Sequence, residues 1–483
     1  MAPDSVRVTT RHTLHCANEA TMATLESPFC LGPMDYIVPS TLPIEVVFIY
    51  KRPRSLPADR FFVVDRLKQA ISHLLDYYPH LTGRLQLHPK THAPQIGHLG
   101  AGVDFWEASC GTALRNIAAS SLSGRIIAPK LPGYGDALLP IFHATVGSIS
   151  HNAILAVQHT RFACGEQLRD SSPPTLIYPP EIRSHFRSSS ELSPRKEGKR
   201  PTLNTSNFYL ERENDTKVKK EAQQQRTAPV SARVLRFDGQ DLAALKQAAT
   251  NPDPRSDTWV STFEALSAFL FQRVYKAKVE LRETLGHSPQ DVPCHSLRQF
   301  STAMDMRDPD RLNLPPRYLA NAVHCLSTSA SHGNLMKGCL WYIARTIHYA
   351  IRSVDKTAVK EEFQWIAAQP DQRRVKSTET FPEGSISVIQ WTRENTYVGT
   401  DFEVRRNGKP VSPSLVSPPL SGAYLMDGLA MVIPTEEKVS AGRVNTNSPA
   451  ESDIPYAVDV NLALNDQIWP YLERDINFLK YIC

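Results

Sequence analysis

Apolar positions recur at helical spacing through the stretch LKQAISHLLDYYPHLTGRL, residues 67–85, and predict a helix over 64–76. Tyr77-Tyr78-Pro79 then reads as a turn, followed by a short strand over Leu81–Leu87. Upstream, TLPIEVVFIYK (41–51) is a β-rich run suited to a sheet centre, and ILAVQHTRFAC (154–164) is strand-like. The segment 183–228 behaves differently: SSSELSPRKEGKR and ERENDTKVKKEAQQQ have almost no apolar period and read as a linker. Order resumes with a strand over Ala232–Phe237 and a helix opening near Asp238, with Leu242, Leu245 and Ala248 on one face. A second apolar helix covers Thr262–Lys276, with Ser261 or Thr262 as cap and Glu264 in its first turn. Beyond it, predicted strands (Phe300–Met306, Ser385–Thr392, Gly428–Pro434, Tyr456–Leu464) alternate with helices (337–353, 357–367, 466–479). The pattern predicts two α/β domains, 1–182 and 229–483, joined by a long crossover over 183–228.

Composition narrows the classes. A length of 483 residues suits two cores, and the hydrophobic and charged fractions, 41% and 21%, are those of an ordinary globular protein. The net charge of +5 is mild and much of the basic excess falls in the linker, so a nucleic-acid surface is not expected. No run of about 18 apolar residues predicts a membrane span, and the N-terminus lacks the apolar core of a signal peptide. Eight scattered cysteines without C-x-x-C pairs read as reduced thiols. The expectation is a cytoplasmic monomer without membrane or nucleic-acid partners. Walker, dinucleotide-binding, H-E-x-x-H and G-x-S-x-G motifs are all lacking, which argues against a nucleotide cofactor, a zinc centre and a serine nucleophile.

Several short motifs occur in a telling order. Leu31-Gly32-Pro33-Met34-Asp35 comes first, then Tyr77-Tyr78-Pro79 with Gly83-Arg84-Leu85, then Thr262-Phe263-Glu264-Ala265-Leu266-Ser267-Ala268. Asp305-Met306-Arg307 precedes Leu314-Pro315-Pro316-Arg317-Tyr318-Leu319-Ala320-Asn321, and Asp401-Phe402 precedes Asn407-Gly408-Lys409-Pro410. Together they resemble the BAHD family of CoA-dependent acyltransferases, and LGPMDYIVPSTLPIEVVFIY is similar to its fungal secondary-metabolite, trichothecene-acetyltransferase-like branch. The resemblance implies a two-domain chloramphenicol-acetyltransferase-like α/β fold with mixed sheets and a tunnel between the domains. It further implies acyl transfer, often of acetyl, from acyl-CoA as co-substrate to a hydroxyl of a small-molecule acceptor, with no metal. Asp401, Phe402, Gly408, Arg307 and Asn321 would then serve the domain interface and not proton transfer. Ala320 stands where the family has Gly, and Glu403-Val404-Arg405-Arg406 interrupts the family's Asp-Phe-Gly-Trp-Gly.

The chemistry needs a base to take the hydroxyl proton, and an imidazole of pKa about 6.5 suits that task, contributing about 10²–10⁴-fold. The family supplies it from H-x-x-x-D-G. Here the middle reads LAVQHTRFACGEQLRD, 155–170, with no Asp four residues after His159. In one alignment His159 is the motif histidine and the catalytic base. In the other, LAVQHTRFACG is similar to the L-x-V-Q-V-T-x-F-x-C-G-G strand that precedes the motif. His159 then replaces a strand Val, and the strand–loop–helix carrying the motif is missing before Asp170-Ser171-Ser172-Pro173-Pro174. His287-Ser288-Pro289-Gln290-Asp291 is the one literal H-x-x-x-D, but lies in a polar loop. His143, His151 and His324 read as structural. Two alternatives to the CoA-dependent enzyme follow: a catalytically defective member or truncated gene product acting at most as a binding protein, or a carrier-protein-dependent condensation or transfer enzyme.

Overall fold

A computed structural model describes residues 6–36, 43–53, 61–89, 94–121, 124–142, 150–163, 208–210, 229–253, 255, 259–287, 298–315, 318–369, 371, 374–377, 385–394, 396–397, 411–441 and 456–482. The largest element is a mixed six-stranded sheet. Its order is Val323–Ser329, Gln299–Asp305, Ile386–Gln390, Leu429–Pro434, Val458–Asn465, Val230–Phe237. The three middle strands Gln299–Asp305, Ile386–Gln390 and Leu429–Pro434 run parallel, and antiparallel partners flank them. In VDVNLALN, Val458, Val460, Leu462 and Leu464 alternate with Asp459, Asn461 and Ala463. The first set joins the main core with helices Gly239–Ala249, Thr262–Thr284 and Leu340–Arg352. The second set lies on the opposite face of the sheet.

Helix Thr262–Thr284 starts on a capping box: Glu264 N donates to Ser261 Oγ at 3.2 Å, and Ser261 N to the Glu264 carboxylate at 2.6 Å. It is about two turns longer than the periodicity predicts and is buried along most of its length. The predicted 466–479 helix is in fact two short pieces, Trp469–Leu472 and Ile476–Leu479, because Pro470 opens the first and Asp475 caps the second. Likewise the 337–353 prediction resolves into His332–Lys337 and Leu340–Arg352, separated by Gly338.

A three-stranded sheet occupies the N-terminal half, in the order Val6–Leu14, Val103–Cys110, Ala156–Phe162. Helix Val64–Tyr77 closes one face of it, packing Val64, Ile71 and Leu75 against Val103, Phe105 and Val157. The run 41–51 does not cross a sheet centre. Within its described part, 43–51, Val47–Ile49 is the strand, and it pairs antiparallel with Leu415–Ser417 from the far end of the chain. Leu81–Leu87 is shortened too: Pro79–Thr82 is a 3₁₀ turn and the strand is Arg84–Leu87. Among the described residues no helix is long and apolar enough to cross a membrane.

Candidate active site

Two strands and three clasps join the N-terminal elements to the C-terminal sheet. The strand pair Val47–Ile49 with Leu415–Ser417 is extended by Ser414 N donating to Ile49 O at 2.6 Å. Next to it the turn Gly133-Tyr134-Gly135 lies in left-handed backbone, and Leu420 N donates to Tyr134 O at 2.9 Å. Gly135 has φ +104°, and a Cβ there would come within 3.2 Å of Pro419, so the close approach requires glycine. Ser421 Oγ donates to the Asp136 carboxylate at 2.9 Å. The Tyr424 hydroxyl accepts from Glu45 N at 2.7 Å, and burial with the nearby Asp136 carboxylate pushes the Glu45 carboxyl up.

The second clasp unites three motif segments. Asp35 accepts from Gly32 N at 2.8 Å and from Asn321 N at 3.2 Å, while Asn321 Nδ2 donates to Met34 O at 3.0 Å. Arg307 braces the same loop, donating from Nε to Tyr318 O at 2.9 Å and from Nη2 to Ala320 O at 2.8 Å. Burial pushes the Asp35 carboxyl up, opposed by those two backbone N–H groups and by Arg307. Arg307 and Asn321 therefore meet at one contact between N- and C-terminal segments.

The third clasp is ionic. Asp459, on the non-helical face of the six-stranded sheet, accepts from Arg125 Nη2 at 2.8 Å and lies 3.3 Å from Arg236 Nη1. Beside it a small cleft is lined by Ile127, Ala128, Val416, Ser417, Asp459 and Asn461, where Asn461 Nδ2 donates to Ser417 Oγ at 3.1 Å. Arg125, Ser417, Asp459 and Asn461 were not singled out by motif reading. For Asp459 and Asn461 a signal was present, though: two polar residues at alternate positions within an otherwise apolar strand interior.

His159 lies in the strand Ala156–Phe162, in register with Glu107 of the neighbouring parallel strand. Strand alternation puts it on the face of Val157, under helix Val64–Tyr77, where its ring stacks on Phe62 with centroids 6.5 Å apart. Burial pushes its pKa down to about 4, assisted by Arg161 and opposed by Glu107. The Glu107 carboxylate is engaged elsewhere, 2.7 Å from His12 Nε2 and 3.5 Å from Lys68 Nζ. Gln158 and Thr160 point to the opposite face: Gln158 Nε2 donates to Ala137 O at 3.0 Å and to Thr160 Oγ1 at 2.9 Å. Phe162 packs there with Val47, Ile49 and Leu415, the cluster at the joining strand pair.

The remaining histidines are spread out. His324 is buried 3.4 Å from the Glu362 carboxylate, His348 is buried 3.2 Å from Glu264, and His151 is exposed. His287 follows the turn Leu285-Gly286 that ends helix Thr262–Thr284. Asp401, Phe402, Gly408, His143 and Asp291 lie outside the described residues. No group of three or more possible metal ligands occurs among the described residues.

Solved structures share this mixed α/β fold. Vinorine synthase superposes with a TM-score of 0.60 at 14% identity, over 99% of this chain and 98% of that one. TRI101 of F. graminearum, in complex with coenzyme A and T-2 mycotoxin, superposes with a TM-score of 0.62 at 16% identity, over 95% and 99%. The sequence pattern of the Transferase family matches residues 5–168 and 182–444, and the chain belongs to that family, the BAHD group its motifs resemble. O-acyltransferase pigD of Monascus ruber is 31% identical over 201 residues, 40% of each chain. Shikimate O-hydroxycinnamoyltransferase of Nicotiana tabacum is 25% identical over 150 residues, 31% of this chain and 32% of the relative. The aligned part thus spans less than half the length of these curated relatives.

Proposed function

We propose that this chain is an acyl-CoA-dependent O-acyltransferase that moves an acyl group, acetyl being the simplest, to a hydroxyl of a small secondary metabolite in the fungal cytoplasm. The observation that carries this reading is the family match over most of the chain, 5–168 and 182–444. Support comes from a relative named an O-acyltransferase and from a structural neighbour solved with coenzyme A and a mycotoxin. We assign the two domains to 1–182 and 229–483, with 183–228 as the connection, and a monomer as the working unit. Asp401, Phe402 and Gly408 are assigned to the domain interface on motif position, as are Arg307 and Asn321, whose hydrogen bonds favour the same role.

In the reaction the acceptor oxygen attacks the thioester carbonyl while a base removes its proton. The tetrahedral oxyanion collapses, the C–S bond breaks, and the thiolate takes up a proton to leave as CoA-SH beside the new ester. His159 is neutral at pH 7, as a base must be, but its ring stacks on Phe62 and is only partly open to solvent on the strand face that helix Val64–Tyr77 packs against. We therefore assign it to the strand, as a replacement for an apolar residue, with CoA release correspondingly slow. The test follows thiol release from acetyl-CoA with the full chain and a panel of hydroxyl acceptors. Release that depends on both substrates and yields the acyl ester is expected. A chain that releases no CoA with any acceptor yet binds one of them tightly would be a binding protein, and release that requires an acyl carrier protein would overturn the CoA reading.

A further inference from the structure

Helix Leu340–Arg352 buries Ile343, Ala344, Ile347 and His348 against the main core. Its outer side is unlike an ordinary solvated helix. At 3.6 residues per turn, Trp341, Tyr342, Arg345, Tyr349 and Arg352 fall within a sector of about 100°. Trp259 joins the end of this stripe, under the Arg352 guanidinium at 4.8 Å from the ring centre. Arg345 stands 5.0 Å over Trp341 and 5.5 Å over Tyr342. The aromatic rings remain open to solvent: Tyr349 is 57% exposed, Trp259 48% and Tyr342 37%. No carboxylate occurs anywhere from 311 to 354, a stretch holding Arg311, Arg317, Lys337, Arg345 and Arg352.

We propose that this stripe is a peripheral docking surface for anionic phospholipid, laying helix Leu340–Arg352 flat on the bilayer interface. Exposed Trp and Tyr side chains have apolar bodies and polar tips, which suits the headgroup level of a bilayer. Arginines stacked on those rings keep their N–H edges free for bidentate bonds to lipid phosphates. The stripe is about 16 Å long and carries two cations among four aromatic groups. That ratio fits interfacial insertion, whereas a nucleic-acid track draws its affinity from phosphate neutralisation by many more cations. The helix is only 13 residues long, so the contact lies on the membrane and does not span it. The surface is separate from the seam and does not depend on the acyl-transfer reading.

Flotation of the full chain with vesicles tests this. Phosphatidylcholine vesicles containing phosphatidylserine should carry the protein up at low salt, and pure phosphatidylcholine should carry far less. Arg345→Gln with Arg352→Gln should lower partitioning to the anionic vesicles by about thirty-fold, from two surface cations. Tyr349→Ser with Trp259→Ser should weaken it too, while circular dichroism stays native in both pairs. Three results would overturn the proposal: no flotation of the unmodified chain, equal flotation of the arginine pair, or tighter binding to RNA than to anionic vesicles with the same residues required. Loss of a concentration-dependent dimer in the serine pair, without vesicle binding, would assign the stripe to a second copy instead.

Discussion

His159→Val separates the strand role from the catalytic one through the acid limb of stability. The native protein holds this imidazole at a pKa of about 4, whereas the unfolded chain titrates near the ordinary 6.5. The folded value is the lower one, so between these pH values the unfolded state binds more protons and stability rises with pH. The contribution is intact above pH 6.5 and is progressively lost as pH falls toward 4. At pH 4.5 the two values predict a loss of about 2.5 kcal/mol from this one group. Valine cannot titrate, and it fits a strand position beside Phe62 without needing a hydrogen-bond partner. The variant should therefore match the parent to within about 1.5 kcal/mol at neutral pH and exceed it by about 2.5 kcal/mol at pH 4.5. Urea unfolding followed by far-ultraviolet dichroism at pH 7.5 and 4.5 measures both, and CoA release is assayed alongside. Equal acid sensitivity of parent and variant would refute the buried-imidazole reasoning. A fall in turnover of about 10²–10⁴-fold with the fold intact would instead show that His159 is the base.

Other perturbations probe the seam and the core. His80 is buried, its Nδ1 has no partner and burial pushes it to about 4, so His80→Leu should flatten the same pH 6.5–4 limb; an unchanged limb in urea titrations counts against it. Asp459→Ala takes one carboxylate from Arg125 and Arg236, which keep Glu436 and Glu437 beside them, and should cost about 1–3 kcal/mol, read as a lowered urea midpoint, with Asp459→Asn costing less. Asn321→Ala removes the side-chain hydrogen bonds to Met34 O and from Val323 N, keeps the backbone one to Asp35, and should cost about 1–3 kcal/mol; a neutral result would show that this side chain is dispensable to the clasp. Gly135→Ala should cost about 1–3 kcal/mol through its left-handed backbone, checked by thermal melting, and more if Pro419 cannot move away.

Local chemistry was readable along the chain wherever neighbours in sequence are neighbours in space. The Val64–Tyr77 helix, the Ser261–Glu264 capping box and the strands Val230–Phe237 and Leu429–Pro434 all follow from residues within a few positions of each other. Even the interface motifs were visible as words, since Asp35, Arg307 and Asn321 each sit in a recognisable one. Pairing was not readable. The run 41–51 looks like a central strand, yet among the described residues it pairs with Leu415–Ser417, some 370 positions later, and nothing local encodes that choice. The strands Val6–Leu14 and Val103–Cys110 were missed because polar residues interrupt their alternation, and their mutual pairing supplies what propensity lacks. The same holds for chemistry. His159 reads as a candidate base from its place in the chain. Only packing turns its ring under helix Val64–Tyr77 and pushes its pKa down, because burial depends on what covers a side chain, and for a strand residue that cover comes from distant sequence.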